Sequence, residues 1–226
     1  MKLEIWSDIV CPWCYIGKRR FEAALEQFAH RDEVEVVWRS FELDPNAPRR
    51  RELEYTAYLA QKYGTSLEQA EASQKRLTGQ AAAERLEFNL GATKGGNSLD
   101  AHRLLHLAAA SGLQDALKEQ LLHAYFTEGE AIGEPDVLAR LAVEAGLDRD
   151  EVADLLAGDR YSEDVRADEQ RARLLGINGV PFFAIDERYG ISGAQPSELI
   201  LSALDQAWAE REPAGIAPAA AAPSGE

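Results

Sequence analysis

The sequence predicts an α/β fold in two separated halves, with a large all-helical insertion between them. Three observations predict it. Runs that alternate apolar and polar residues, rich in Ile, Val, Trp and Phe, fall only near the two ends of the chain. From Leu43 to about Gly158 the composition turns to Ala, Leu, Glu, Gln and Arg, the residues that lose least on entering a helix. A helix-starting proline, Pro12, follows the first alternating run directly.

The elements follow in order. Lys2 to Asp8 alternates and reads as a first strand. A helix then carries Phe21, Ala24, Leu25 and Phe28 on one stripe. Val34 to Phe41 is a second strand, expected to be central because both of its faces carry apolar groups. A right-handed crossover between these two strands makes them parallel. After the loop Asp44-Pro45-Asn46-Ala47-Pro48, breaks at Gly64, Gly91 to Gly96, Gly112, Gly129 to Pro135 and Gly146 divide the insertion into about five or six helices. One of these starts at Asn97-Ser98, whose side-chain oxygens offer an N-cap. It carries Ala101, Leu104, Leu105 and Ala108 inward. Glu163 to Gly176 is a polar helix with Val165, Ala172 and Leu175. Gly179 to Asp186 is a strand opened by proline, and Tyr189 to Gly193 pairs with it as a hairpin. A last helix from Gln195 to Ser197 onward buries Leu199, Ala203, Leu204, Ala207 and Trp208. A strand–helix–strand unit followed by helix–strand–strand–helix is the thioredoxin arrangement. The expected division is therefore 1–42 with 160–212 as one discontinuous thioredoxin-like domain, 43–159 as the helical insertion, and an Ala- and Pro-rich tail over 213–226 that is disordered.

Bulk properties narrow the function. The chain has 226 residues and a net charge of −15, which repels nucleic acid and anionic lipid. No apolar run approaches the roughly 20 residues that span a bilayer, and charges interrupt the first eight residues where a secretory signal would be apolar. The expected compartment is the cytoplasm. The only two cysteines lie three apart, as Cys11-Pro12-Trp13-Cys14. Closing so short a loop removes little chain entropy, and a reducing cytosol disfavours structural bridges. Chemistry, metal binding or coincidence is left.

A pair of cysteines at a helix N-terminus suits disulfide exchange. The unpaired N–H groups and the helix dipole favour a thiolate at Cys11, which the strand-to-helix turn is expected to expose. Cys14, one turn inside, is then the resolving thiol. Pro12 and Trp13 add no charge, so the expected potential lies nearer thioredoxin, at about −270 mV, than DsbA, at about −120 mV. Asp8 either relays a proton to Cys14 or is a turn residue beside it. Lys18-Arg19-Arg20 either draws anionic thiols such as glutathione or forms a solvated helix face. A zinc site would need His102 and His106, which share a helix face, beside the two cysteines. Pro181 either simply opens its strand or sits in a cis bond at a tight turn.

The stretch Asp8 to Lys18, with its Cys-Pro-Trp-Cys, resembles the active-site segment of the DsbA-like thioredoxin-fold oxidoreductases, in particular their FrnE-like branch. Gly179-Val180-Pro181-Phe182-Phe183, Asn97 to Arg103 and Gly193-Ala194-Gln195-Pro196 are similar to further segments of that branch, in the same order. The resemblance implies dithiol–disulfide exchange on protein or small-molecule disulfides. It implies a cis Pro181 facing the cysteines and a Val180 backbone that pairs with substrate. Cys11 and Cys14 are the catalytic candidates, with Pro12, Trp13, Asp8, Val180 and Pro181 in support. Lys18, Arg19, Asn97 and His102 are candidate substrate contacts. No cofactor is expected to be required, glutathione being a possible redox partner. The expected partner is a thiol- or disulfide-bearing protein or small molecule, and the assembly a monomer or homodimer. The related 2-hydroxychromene-2-carboxylate isomerases and kappa-class glutathione transferases carry serine in place of Cys11. They also carry a Ser-Asp pair where this chain has Ala194-Gln195. Glutathione-dependent isomerisation or transfer is the enzyme alternative, and a non-catalytic metal-binding or scaffold protein is the other. A mechanism that needs a second cysteine pair is excluded.

Overall fold

The computed structural model describes residues 1–211, so the expected disordered tail over 213–226 lies outside the described residues. The first half contains β1 (Lys2–Ser7), α1 (Pro12–Gln27) and β2 (Glu35–Ser40). The second contains α8 (Ser162–Leu174), β3 (Phe182–Ile185), β4 (Tyr189–Ser192) and α9 (Ser197–Ala209). Between them lie α2 (Tyr55–Tyr63), α3 (Leu67–Ala83), α4 (Leu99–Ala110), α5 (Gln114–His123), α6 (Pro135–Glu144) and α7 (Arg149–Ala157). The fold is a thioredoxin fold with a helical insertion.

The four strands run in the order β2-β1-β3-β4. β1 pairs parallel with β2, Ile5 opposite Trp38, and antiparallel with β3, Ile5 opposite Phe183. The second strand is therefore an edge strand, not a central one. Its apolar character arises because both faces of the sheet are covered, and face burial is independent of position in the sheet. The open backbone edge is closed by a side chain: the Trp38 N–H donates to Gln114 Oε1 at 3.2 Å, and Gln114 Nε2 donates to the Trp38 carbonyl at 3.1 Å. A glutamine from α5 thus does the work of a neighbouring strand.

One face of the sheet presents Leu3, Ile5, Trp38 and Phe183 to α1 and α9, where Phe21, Phe28, Ile200 and Leu204 fill the core. Each such fully buried side chain is worth roughly 1.5–3 kcal/mol. The phase of α9 differs from expectation, since Ile200 is buried and Leu199 exposed. Leu175, past the end of α8, is also exposed. The other face carries Trp6, packed on Ala172, Ile177 and Ala184, with its indole N–H donating to the Asp168 carbonyl at 3.0 Å. The insertion has its own core around Leu104, Leu121, Phe126 and Leu138, and Ile9, Tyr15 and Ile16 of the first half belong to it. That shared packing fixes the insertion over the start of α1.

Candidate active site

α1 begins at the end of β1, after a short turn. Cys11 is its N-cap residue, with an extended backbone, and Pro12 takes the first helical position, where a missing N–H costs nothing. Cys14 follows in the first turn, its N–H donating to the Cys11 carbonyl at 3.0 Å. Both cysteines are free and 3.2 Å apart. The peptide bond Val180–Pro181 is cis, and the Cys11 thiol lies 3.5 Å from the Val180 carbonyl oxygen. Gly17 makes room for this loop. A Cβ there would come within 2.8 Å of Pro181 Cγ.

Cys11 is buried, only 4% exposed, where the sequence suggested an exposed sulfur. The insertion is the reason. α2 and α3 stand over the start of α1 and enclose a cavity of about 660 Å³ beside Cys11. Trp13, Tyr55, Tyr58, Tyr63 and Tyr125 supply aromatic walls, and Val180 lines it from the opposite side. Tyr125 lies in a widened helical turn, Ala124–Glu128, of a kind that often re-aims side chains at functional sites. Cys11 lines the cavity and Cys14 does not.

The two thiols titrate as a unit. Burial opposes charge on Cys14, but the hydrogen bond from Cys11, the Lys118 charge and the Asp8 backbone N–H outweigh it and hold Cys14 below the ordinary thiol range. Cys11, hydrogen-bonded to Cys14 and buried, is pushed well above that range. One proton leaves the pair readily and the other is held. The opposite directions of the two shifts favour the anion at Cys14 in this reduced geometry, whereas the helix-start argument favoured Cys11.

Lys118 is the residue that sequence reasoning missed. It is 1% exposed on α5, and among the described residues its Nζ has no hydrogen-bond acceptor. The ammonium lies 5.4 Å from the Trp38 ring centroid. Desolvation pulls its pKa down to about 8, against the opposing pull of Cys14, Asp8 and Cys11. At neutral pH it is still mostly a cation, and Cys14 and Asp8 are the groups that most favour its charge. No local pattern marks it in the sequence, where it reads as one helix lysine among several.

Asp8 is fully buried. Its Oδ2 accepts from the Leu43 N–H at 2.8 Å, and its Oδ1 lies 3.3 Å from His102 Nε2. Burial would raise its pKa, but hydrogen bonds from His102, Leu43 and Ser98 and the charge interaction with His102 hold it below the ordinary carboxylate value. His102 is thus a partner of Asp8 and does not line the cavity. The expected cap also differs in detail. Asn97 Oδ1, not Ser98, accepts from the Leu99 N–H, at 2.9 Å, and Ser98 makes no cap bond at all. Asn97 lies outside the cavity lining.

The basic run is not arranged toward the cavity. Lys18 is 2% exposed and pairs with Glu22, Asp115 and Glu119. Arg19 pairs with Glu22 and Glu119, and Arg20 with Glu84. Despite its burial, Glu119 is held down at about 2 by Arg19, Tyr15 and Lys18. Lys18 and Arg19 line a separate cavity of about 750 Å³ that does not include either cysteine. The run is therefore neither a free anion trap nor a solvated face. His106 is 3.3 Å from Asp168 and 3.2 Å from Ser40. Among the described residues no three His, Cys, Asp or Glu side chains converge as a metal set.

Comparison with known proteins gives a consistent picture. The family described as DSBA-like thioredoxin domain matches residues 2–205. The crystal structure of a probable DsbA oxidoreductase, SCO1869 from Streptomyces coelicolor, superposes with a TM-score of 0.91 at 48% identity. The match covers 97% of this chain and 94% of that one. The cytosolic disulfide reductase DsbM from Pseudomonas aeruginosa, solved with GSH, is similar in fold at 19% identity and a TM-score of 0.64, over 91% and 98% of the two chains. A 2-hydroxychromene-2-carboxylate isomerase is similar in fold at 16% identity and a TM-score of 0.65, over 91% and 95%.

Proposed function

Because the chain belongs to the DSBA-like thioredoxin domain family, we propose that it is a thiol–disulfide oxidoreductase or disulfide isomerase that works through the Cys11–Cys14 dithiol. The observation that carries this reading is the junction of two free cysteines, 3.2 Å apart at the start of α1, with the Val180 carbonyl 3.5 Å from the Cys11 sulfur.

A disulfide that enters the cavity meets Cys11, because that sulfur alone lines it. Cys11 passes its proton to Cys14 and attacks the nearer substrate sulfur. The S–S bond of the substrate breaks, one thiolate leaves and takes up a proton, and a mixed disulfide with Cys11 remains. Cys14 then loses its proton to solvent, favoured by the Lys118 cation, and attacks the Cys11 sulfur. The second substrate thiol leaves and the protein disulfide closes. Two electrons have passed from the dithiol to the substrate, and a low-molecular-weight thiol such as glutathione, itself oxidised, returns them. Run backward, the same steps oxidise a substrate dithiol. Pro12, Trp13, Val180 and Pro181 shape the approach to the sulfurs. Asp8, held as a carboxylate by three donors, anchors the site rather than shuttling the proton. No cofactor beyond the thiol partner is needed for this cycle. No helix of the described residues is long and apolar enough to cross a membrane.

The test is a redox titration in glutathione buffers, followed by thiol alkylation, beside a Cys14→Ser variant. A two-electron transition, with an adduct trapped on Cys11 in the variant, supports the dithiol cycle. If no disulfide forms, or if the variant processes glutathione conjugates as well as wild type, the glutathione-dependent isomerase or transferase chemistry replaces it.

A further inference from the structure

The cavity beside Cys11 has a charge and a shape that the exchange chemistry alone does not require. Its charged lining residues are Arg51, Lys62, Arg76 and Asp44, three cations to one carboxylate. The whole chain carries −15. A local excess of positive charge therefore lines the space that Cys11 reaches. The remaining walls are mostly aromatic and aliphatic, with Tyr55, Tyr58, Leu59 and Leu77 among them.

Arg51 is held in place before any ligand arrives. Its backbone N–H donates to the Gly95 carbonyl at 2.7 Å. Its guanidinium lies 3.4 Å from the Tyr58 ring centroid, a stacking that fixes the plane of the fork. The side chain runs so close to Gly95 that a Cβ there would meet Arg51 Nη1 at 2.5 Å. Among the described residues its one carboxylate neighbour, Asp44, is 3.9 Å away, beyond hydrogen-bond range. The side chain is thus 14% exposed and held in place, and among the described residues its guanidinium has no bidentate partner. Lys62 likewise lies over the Tyr58 and Tyr63 rings. The same space links these cations to the sulfur, since Arg51, Tyr55, Tyr125 and Cys11 all line it.

Size argues for a small molecule. A cavity of about 660 Å³ falls in the ordinary range for small-ligand sites. A folded protein would have to present its disulfide on a thin projection to reach a sulfur that is 4% exposed beneath α2 and α3.

We propose that this cavity takes a small organic disulfide with an apolar or aromatic body and a carboxylate, which Arg51 anchors while the disulfide sulfur meets Cys11. This inference rests on the dithiol reading and narrows it to a substrate class. The exchange is the one described above: the substrate S–S bond breaks, two small thiols are released, and the Cys11–Cys14 bond forms.

The experiment compares dithiodipropionate with its neutral diamide, two disulfides matched in shape and different in charge. Full-length protein is assayed with reduced glutathione as reductant, after subtraction of the uncatalysed rates. Wild type is expected to favour the dianion in kcat/KM by about tenfold or more, the value of one charge-assisted hydrogen bond. In Arg51→Gln that preference collapses to within about twofold, mainly through KM, and in Arg51→Lys part of it returns. Equal use of both disulfides by wild type, or an undiminished preference in Arg51→Gln, overturns the proposal and leaves the dithiol reading standing. So does a wild type that reduces neither small disulfide while its Cys14→Ser form traps a disulfide-bonded protein. If wild type reduces neither and Cys14→Ser traps nothing, the dithiol reading fails and takes the proposal with it.

Discussion

Replacing Lys118 by methionine removes the buried cation while keeping the length and volume of the side chain. An opposite charge within about 4–6 Å typically moves a pKa by 1–3 units. Lys118 is the strongest charge acting to lower Cys14. We expect the first proton of the cysteine pair in Lys118→Met to leave about 1–2 pH units higher than in wild type. That is about 1.4–2.7 kcal/mol of thiolate stabilisation. Where the thiolate is the populated reduced form, the same energy makes the variant more reducing by about 30–60 mV, since the disulfide no longer competes with a stabilised anion. A stability effect follows with its own sign. The folded pKa of Lys118 is about 8 against 10.5 for a free lysine. Between those values the unfolded chain binds more protons, so the lysine makes stability rise with pH through that window. Below it both states are charged, and burying the cation costs roughly 3 kcal/mol. The reduced variant should therefore be more stable than wild type near neutral pH and lack the rise. Ultraviolet thiolate absorbance against pH reads the first effect, and denaturant unfolding at several pH values reads the second. A thiolate pKa unchanged within a few tenths of a unit would refute the assignment of Lys118 as the counter-charge.

Gly17→Ala should gain about 0.5–1 kcal/mol of helix propensity but lose about 1–3 kcal/mol to the contact with Pro181 Cγ, for a net loss. Its exchange rate with small disulfides should fall several-fold, and a rate equal to wild type would show that the loop gives way freely. Asp8→Asn should cost about 3–5 kcal/mol at neutral pH. The Asp8 pKa is depressed in the folded state, so its contribution is present above the unfolded value and lost as pH falls through the folded one. The gap between wild type and Asp8→Asn should therefore narrow on acidification, which chemical denaturation at neutral and acid pH will read. Gln114→Ala leaves the Trp38 N–H and carbonyl without their partner and should cost about 1–2 kcal/mol. It should also raise concentration-dependent association, measured by light scattering, because the edge of β2 is opened.

Much of the frame was legible in the sequence. Alternation found the four strands, and the Gly and Pro breaks divided the insertion into what are six helices. The spacing of Cys11 and Cys14 marked the pair that the fold brings to 3.2 Å, whereas the cis bond at Pro181 followed from the family resemblance, since the proline alone reads equally as one that opens a strand. Strand order was not legible. Val37 and Trp38 point to opposite faces, both covered, and that pattern is the same for an edge strand with covered faces as for a central one. The surroundings of the sulfurs were not legible either. Lys118 and Gln114 lie far along the chain from Cys14 and Trp38, the residues they act on, and the insertion's packing, not any local period, brings them there. The same packing explains the basic run: its partners Asp115 and Glu119 sit on α5, about 100 residues away.

The carboxylate of Asp8 has a consequence for how the molecule comes apart. It sits at the end of β1, bonds to the N–H of Leu43 where the chain departs from the sheet, and bonds to His102 and Ser98 at the head of α4. One anion thus ties three stretches of chain that no continuous module contains. Pulling any of them away strands it in an apolar interior without donors, at a cost of several kcal/mol. The helical region should consequently not be excisable as a cassette. The two regions should melt in a single transition, and their slowest-exchanging amides should share one opening free energy.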